Sequence, residues 1–264
     1  MSPADPAAAG RDLVALPRAA VLMLWTSVYL RGDLGPDDAA ALSDGVGRGV
    51  PGGEGEDLFT WMTALRRLPL AQLRLVLPVP GRIAGLVGPP AAITAALEAE
   101  QAVVVTAAGI ADHTLVPEVV DDEVEGRRVH AVSWRRIAAP LGAQVAPAAS
   151  SGGAREELLH ALRRAATGSV ELDLVPDEPV ESARIPPGWT STALPRHLDP
   201  GAAHLLSLAA RTLLLTRSEI DEGHGHTVHL AEALARRGLL DELHDAARAA
   251  LVETVERIVA ADER

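Results

Sequence analysis

Three residue types are missing from the 264-residue chain, and each absence excludes a class of chemistry. Without cysteine, the chain has no thiol nucleophile, disulfide, iron–sulfur ligand or thiolate metal site. Without lysine, it has no group for Schiff-base chemistry, pyridoxal attachment or a phosphate-loop lysine. Without asparagine, it has no N-glycosylation site. Chemistry based on histidine, carboxylates or serine is not excluded by composition.

Positively charged residues are fewer than negatively charged ones, and aromatic residues make up only 2% of the chain. The chain has 24 Lys+Arg against 36 Asp+Glu, which gives a formal net charge of −12. This field repels phosphate backbones and anionic lipid headgroups, so we expect neither nucleic acid nor a membrane surface as a partner. With 48% hydrophobic residues, the chain has enough apolar surface to build an ordinary core without disulfides or metals.

The longest apolar run near the N-terminus covers residues 19–30, between Arg18 and Arg31. It is shorter than the roughly 20 apolar residues that span a bilayer. It also contains Thr26 and Ser27, and no small-residue cleavage site follows it. We therefore predict a buried helix here, and a cytoplasmic protein instead of a secreted or anchored one.

The hydrophobic pattern predicts an α+β fold, with N-terminal helices and a central antiparallel or mixed sheet followed by a mostly helical C-terminal half. Pro17 is suited to the start of a helix that runs to Arg31, where Gly32 ends it. Strands are predicted at residues 73–79, 82–87, 102–106, 114–120 and 126–134. Short connections between them favour antiparallel or mixed pairing.

The remaining segments give a provisional domain organisation. Residues 1–16 are predicted to be a disordered tail, and the small-residue stretch at 141–153 is the best linker candidate. Regions 1–145 and 152–264 are then two domains or parts of one compact domain. Near the C-terminus, helices are expected at residues 227–237 and 239–260, separated by Gly238.

The densest polar cluster lies at residues 221–229, between two predicted helices. Its imidazoles could hold Zn²⁺ or another divalent ion, and they belong to His224, His226 and His229. The spacing matches no His-Glu-x-x-His motif, and an exposed loop between helices is the alternative. His244 and Asp245 could add ligands only if the last helix folds back on the cluster.

Two other positions are candidates for contacts with a ligand. Trp189 lies in a proline-rich loop, where an exposed indole would suit a partner contact, although it could instead pack against the body of the protein. Arg82 lies in a glycine-rich segment that leads into a helix N-terminus, a place where anions bind. Pro89 and Pro90 remove amide donors there, which favours a purely structural turn.

These features leave two functional hypotheses. The first is a non-enzymatic protein that acts through protein–protein interaction or self-association as a homo-oligomer, with no cofactor, since apolar helices at both ends of the chain offer surface for it. The second is a metal-binding protein or metal-dependent hydrolase that uses the His224, His226 and His229 cluster. No catalytic residue is assigned by either.

Overall fold

The computed structural model describes residues 13–44, 57–69, 71–83, 85–108, 110–124, 127–140, 142–143, 152–171, 185–222 and 230–262. In chain order, these residues form the following helices and strands: β1 (Val14–Pro17), α1 (Arg18–Arg31), α2 (Pro36–Asp44), α3 (Leu58–Leu65), β2 (Gln72–Val76), α4 (Pro90–Ala99), β3 (Ala102–Thr106), β4 (His113–Val124), β5 (Arg127–Ala138), α5 (Ala154–Glu171), β6 (Trp189–Thr192), α6 (Pro200–Glu222) and α7 (Leu230–Asp262).

The strands form two antiparallel sheets. Four of them pair in the order β2-β3-β4-β5, and β1 pairs with β6 to make a separate two-stranded sheet. Helices precede the four-stranded sheet, and the C-terminal half is mostly helical. The predicted α+β class is confirmed, and the pairing is antiparallel.

Strand β3, an inner strand of the four-stranded sheet, is buried on both faces. Val103 and Val105 of β3 belong to the large core that the sheet shares with α1, α3, α5, α6 and α7. Ala102 and Val104 point the other way, into a smaller core with α4. Burial on both faces explains why β3 is a continuous apolar run in the sequence instead of an alternating one.

Helix α1 lies at the centre of the large core, and its residues from Arg18 to Tyr29 are buried. Gly32 ends it in the left-handed conformation, with φ of 90°, and donates its N–H to Tyr29 O at 2.9 Å, as the sequence predicts. No helix in the described ranges is both long enough and apolar enough to cross a membrane.

The apolar stripe of α7 also packs inside the chain. Leu243, Ala247, Leu251 and Val255 are all buried in the large core, where α7 contacts α1, α5 and α6. The two apolar helices are therefore covered by the same chain and no longer argue for self-association. The homo-oligomer itself stays a prediction.

Two predictions of local structure near the termini are wrong. Residues 14–16, assigned to the tail, form β1, whose partner β6 was assigned to a loop. Their pairing joins residues far apart in the sequence, which local patterns do not reveal. Residues 1–12 lie outside the described residues.

Helix α7 runs through Gly238 without a break, because a glycine costs a helix interior only about 1 kcal/mol and packing on α5 and α6 outweighs it.

The predicted strand at residues 82–87 is also wrong. Residues 79–82 form a tight turn, in which Arg82 N–H donates to Val79 O at 2.8 Å. Gly81, Gly85 and Gly88 have φ of 81°, 94° and 133°. These positive values are incompatible with a regular strand.

The large core contains residues from both predicted regions, among them Leu16, Leu115, Leu158 and Leu251. The division of the chain near residues 145–152 stays a prediction, and residues 144–151 lie outside the described part.

Candidate functional site

A cleft of about 940 Å³ lies where the sheet, the C-terminal helices and the β1–β6 sheet meet. One wall comes from the turn after β2, the end of α4 and the middle of the β4–β5 hairpin. The opposite wall comes from α6 and α7, and the segment that leads into β6 closes one end. Its volume is at the upper end of the range for small-molecule pockets. It is larger than a second cleft of about 310 Å³, which is lined by residues of β2, β3 and α7.

Part of the lining of the cleft is apolar and rich in proline. The apolar residues include Leu77, Val116, Val119, Leu213 and Ile220. The prolines are Pro17, Pro78, Pro80, Pro117, Pro186 and Pro187. Because the proline ring fixes φ, these residues give the cleft a stiff backbone with few free amide donors.

Trp189, the predicted partner contact, lines this cleft. It is the first residue of β6, lies opposite Pro17 in the β1–β6 register, and donates its backbone N–H to Pro186 O at 2.9 Å. The side chain is half-buried and packs partly against the large core. The indole therefore contacts both the body of the protein and the cleft, which combines the two alternatives that the sequence leaves open.

The loop that carries Trp189 is held by Gln101, which is 2% exposed. Gln101 Nε2 donates to Gly188 O at 2.6 Å, and Gln101 Oε1 accepts the N–H of Ala19 at 2.9 Å. Arg18 N–H donates to the same Gly188 carbonyl at 3.2 Å, and Arg18 Nε donates to Pro187 O at 3.3 Å. The link between α4 and β3 and the start of α1 thus fix the position of the loop.

Charged side chains also line the cleft, most of them in ion pairs. Five arginines line the cleft, and each forms an ion pair with a carboxylate that also lines it. Arg237 contacts Asp241 at 3.0 Å and Arg135 contacts Glu118 at 2.5 Å. The other pairs are Arg217–Glu100, Arg82–Asp245 and Arg248–Asp245, the last at 2.6 Å.

His244 lies on the α7 wall and is held by α6. Thr216 Oγ1 lies 3.0 Å from His244 Nδ1 and 2.9 Å from Thr212 O. The hydroxyl and the imidazole therefore share a hydrogen bond, whose donor is set by the tautomer of His244. Burial lowers the pKa of His244, and the charge of Arg248 lowers it further. The imidazole is therefore neutral at neutral pH.

The predicted metal cluster is not placed by the structure. His224, His226 and His229 lie outside the described residues, between the end of α6 and the start of α7. Within the ranges that the structure describes, no three histidine or carboxylate side chains converge as a metal site would require. The last helix does fold back along α6, as Arg236 pairs with Glu219.

Sequence reasoning identified some residues of the cleft and missed others. Trp189 and Arg82 were candidates, and both line it. Gln101 and Arg248 were not singled out. The i, i+4 spacing of His244 and Arg248 puts them on one face of a helix, which is a usable signal, but their neighbours come from other parts of the chain.

The comparisons with known proteins give one match. Residues 19–150 match the model of a family described as "Rv1486c-like protein, N-terminal domain". No curated protein and no solved structure matches the chain. The matched residues include α1 to α4 and the four-stranded sheet, and they make up half of the chain. The chain therefore belongs to the Rv1486c-like protein family, through its N-terminal domain.

Proposed function

We propose that the protein is a non-enzymatic binding protein, and that the cleft receives a segment of another protein, which Trp189 contacts. The observation that carries this proposal is the arrangement of the cleft. Apolar residues, six prolines and one indole line the same cleft as five arginines that are paired with carboxylates.

This composition resembles that of protein–protein interfaces, which combine apolar residues with polar ones. Tryptophan and arginine are enriched among the residues that contribute most to binding. The arginine–carboxylate pairs of the cleft supply both hydrogen-bond donors and hydrogen-bond acceptors. This combination suits a polypeptide backbone with mixed side chains. Prolines in the wall keep the cleft stiff, so little conformational entropy is lost on binding.

The chemistry of the lining favours binding over covalent catalysis. Among the described residues that line the cleft there is no serine, threonine or tyrosine hydroxyl, and the chain has no thiol. Each arginine there has a carboxylate partner, so none is set aside for a reacting oxyanion. We place this function in the cytoplasm, with a separate protein as the partner and a second copy of the chain as the alternative source of the segment.

Panning a random dodecapeptide library against the immobilised full chain tests the proposal. Selected peptides are then synthesised, and their Kd values are measured by calorimetry for the wild type and Trp189→Leu. We expect Trp189→Leu to weaken binding about tenfold or more, as for a central interface tryptophan. Phe59→Leu is the matched control, since Phe59 is an exposed aromatic residue on α3 that does not line the cleft.

Two results would contradict the proposal: no peptide enriched over a blank surface, or enriched peptides that bind Trp189→Leu as tightly as the wild type. Light scattering over a range of concentrations tests the second-copy alternative, because a strict monomer rules it out. Far-UV circular dichroism of each variant confirms that the fold is retained.

The metal-dependent alternative rests on His224, His226 and His229, which lie between α6 and α7 in the sequence. Elemental analysis of the purified protein and of the triple histidine-to-alanine variant tests it directly. The alternative requires that the purified wild type contains metal or takes up Zn²⁺ saturably. The triple variant must do neither. If neither protein binds metal, the alternative is wrong.

A further inference from the structure

One corner of the cleft differs from the rest in its charge. Asp245 on α7 accepts from two arginines at once, from Arg248 at 2.6 Å on the same helix and from Arg82 in the turn after β2. Two guanidinium groups thus share one carboxylate. The Arg217–Glu100 and Arg237–Asp241 pairs nearby are each neutral, whereas this corner keeps one positive charge in a chain of net charge −12.

The hydrogen bonding of the corner is also incomplete. The side chain of Arg248 is 11% exposed, and its Nη1 is buried without a hydrogen bond to any described residue. A buried donor without an acceptor is rare in folded proteins and is costly to leave unsatisfied. Arg82 is 59% exposed, so the same corner is open to an incoming group. The excess positive charge and the exposed guanidinium of Arg82 favour an anionic group at this corner.

We propose that Arg82, Asp245 and Arg248 form a carboxylate-binding corner of the cleft. The inference rests on the proposed function and specifies the bound segment: it presents an acidic side chain or a free C-terminus to the two guanidinium groups. The planar fork of an arginine matches a carboxylate in a bidentate arrangement, which supplies direction as well as charge.

A carboxylate fits the corner better than a phosphate group. The excess charge is one, because Asp245 already neutralises one of the two guanidinium groups. A carboxylate brings one negative charge and completes the balance. A phosphate group brings close to two and would face Asp245 and, in the same cleft, Asp241.

Small carboxylates test the corner without any peptide. The full chain is labelled with ¹⁵N, and the Nε–Hε signals of Arg82 and Arg248 are followed by NMR at low salt. Three probes are titrated separately: N-acetylglutamate N-methylamide, N-acetylleucine and inorganic phosphate. We expect saturable shifts of both signals with at least one of the two carboxylates, and weaker binding of phosphate. The tighter carboxylate identifies the source, acidic side chain or C-terminus.

Arg82→Gln should weaken binding of that carboxylate about tenfold, which corresponds to the loss of one charge-assisted hydrogen bond. Arg257→Gln is the matched control. Arg257 is also 59% exposed and paired with a carboxylate, Glu253, but it does not line the cleft. Arg248→Met should abolish binding. Arg82→Gln keeps the test decisive even if Arg248→Met does not fold, because Arg82 is exposed.

The carboxylate corner is wrong if neither carboxylate gives saturable shifts, if phosphate binds more tightly than both, or if Arg82→Gln binds as the wild type does. Failure of the proposed function gives a different result. In that case the carboxylates titrate Arg82 and Arg248 as expected, while the peptide library yields no binder. Peptides that bind without involving Arg82 support the cleft and refute the corner.

Discussion

The side chain of Gln101 donates a hydrogen bond to the carbonyl of Gly188 at 2.6 Å. This contact joins the link between α4 and β3 to the loop that precedes Trp189, two segments far apart in the sequence. A Cβ atom on Gly188 would lie 2.8 Å from Gln101 Nε2, so the two residues approach as closely as a glycine permits. The amide of Gln101 thus sets the position of one end of the cleft.

Gln101→Ala should lower both the stability of the chain and the affinity of the cleft. The change leaves the Gly188 carbonyl with one donor fewer and the Ala19 N–H without its acceptor. Leaving buried polar groups unsatisfied costs about 1–3 kcal/mol in the free energy of unfolding. Urea denaturation followed by tryptophan fluorescence measures this loss. The Kd of a peptide selected against the wild type should rise as well.

Gln72→Ala is the control for Gln101→Ala, because Gln72 is exposed on the edge strand β2. A surface change of this kind should alter the free energy of unfolding by less than about 0.5 kcal/mol. If the two variants were equally stable, the hydrogen bonds of Gln101 would contribute nothing to the fold.

The parts of the fold that the sequence predicts correctly are those with local causes. Gly32 ends α1 because a left-handed residue is needed there, and Pro90 begins α4 because its missing N–H has no partner in a first turn. The β-branched run of β3 is predicted at the observed residues. The pairing of β1 with β6 could not be predicted in the same way, because neither short strand is stable without the other.

The residues of the candidate site differ in the same way: some can be recognised from local sequence features, and others cannot. Trp189 and Arg82 stand out in the sequence by residue type and by neighbouring prolines and glycines. The role of Gln101 depends on the Gly188 carbonyl, and that of Arg248 depends on Asp245 being shared with Arg82. Such roles depend on contacts between segments that are distant in the sequence. They therefore cannot be predicted from a single sequence.

His113 should make the stability of the chain fall as the pH falls from about 6.5 to about 4. Its Nε2 accepts from Trp61 Nε1 at 3.2 Å, and burial lowers the pKa of this imidazole from 6.5 to about 4. Between these values the unfolded chain binds a proton that the folded chain does not, so protonation favours unfolding. Each pKa unit is worth about 1.4 kcal/mol, so His113 contributes at most about 3 kcal/mol to the change.

Urea denaturation of the wild type and His113→Gln, at a series of pH values between 7 and 4, measures this contribution as a difference. His244, whose pKa is also lowered, acts in the same direction and is present in both proteins, so it cancels. His160→Gln, which changes an exposed histidine on α5 and keeps His113, should retain the wild-type slope. A slope in His113→Gln equal to that of the wild type would exclude the buried imidazole as the cause.

Asp57→Ala should destabilise α3 by removing its N-cap. The Asp57 carboxylate accepts the backbone N–H of Thr60 at 3.1 Å and also the Thr60 hydroxyl. Loss of such a cap costs about 1 kcal/mol and lowers Tm by about 2–4 °C in a chain of this size. Asp57→Asn, which keeps an acceptor oxygen, should lie close to the wild type in thermal denaturation, and an equal loss in both variants would contradict the capping role.

The capping contribution of Asp57 should also depend on pH. The hydrogen bond from the Thr60 side chain holds the pKa of Asp57 below its ordinary value of 3.8. The unfolded chain therefore takes up this proton first as the pH falls below that value, and the stabilisation is lost on the acid side. The difference in Tm between the wild type and Asp57→Ala should narrow there.

Gly238→Ala should stabilise the protein, since α7 passes through this position without a break. The backbone there is helical, and a Cβ would meet no atom within 4 Å. Alanine reduces the conformational freedom of the unfolded chain and should add about 0.5–1 kcal/mol to the free energy of unfolding.

Gly152→Ala is the matched opposite, because its surroundings are also open but its φ is +66°. Alanine is strained in that conformation, so this variant should lose about 1 kcal/mol. Urea denaturation of the two variants should therefore give shifts of opposite sign, and a loss of stability in Gly238→Ala would mean that α7 bends at this glycine.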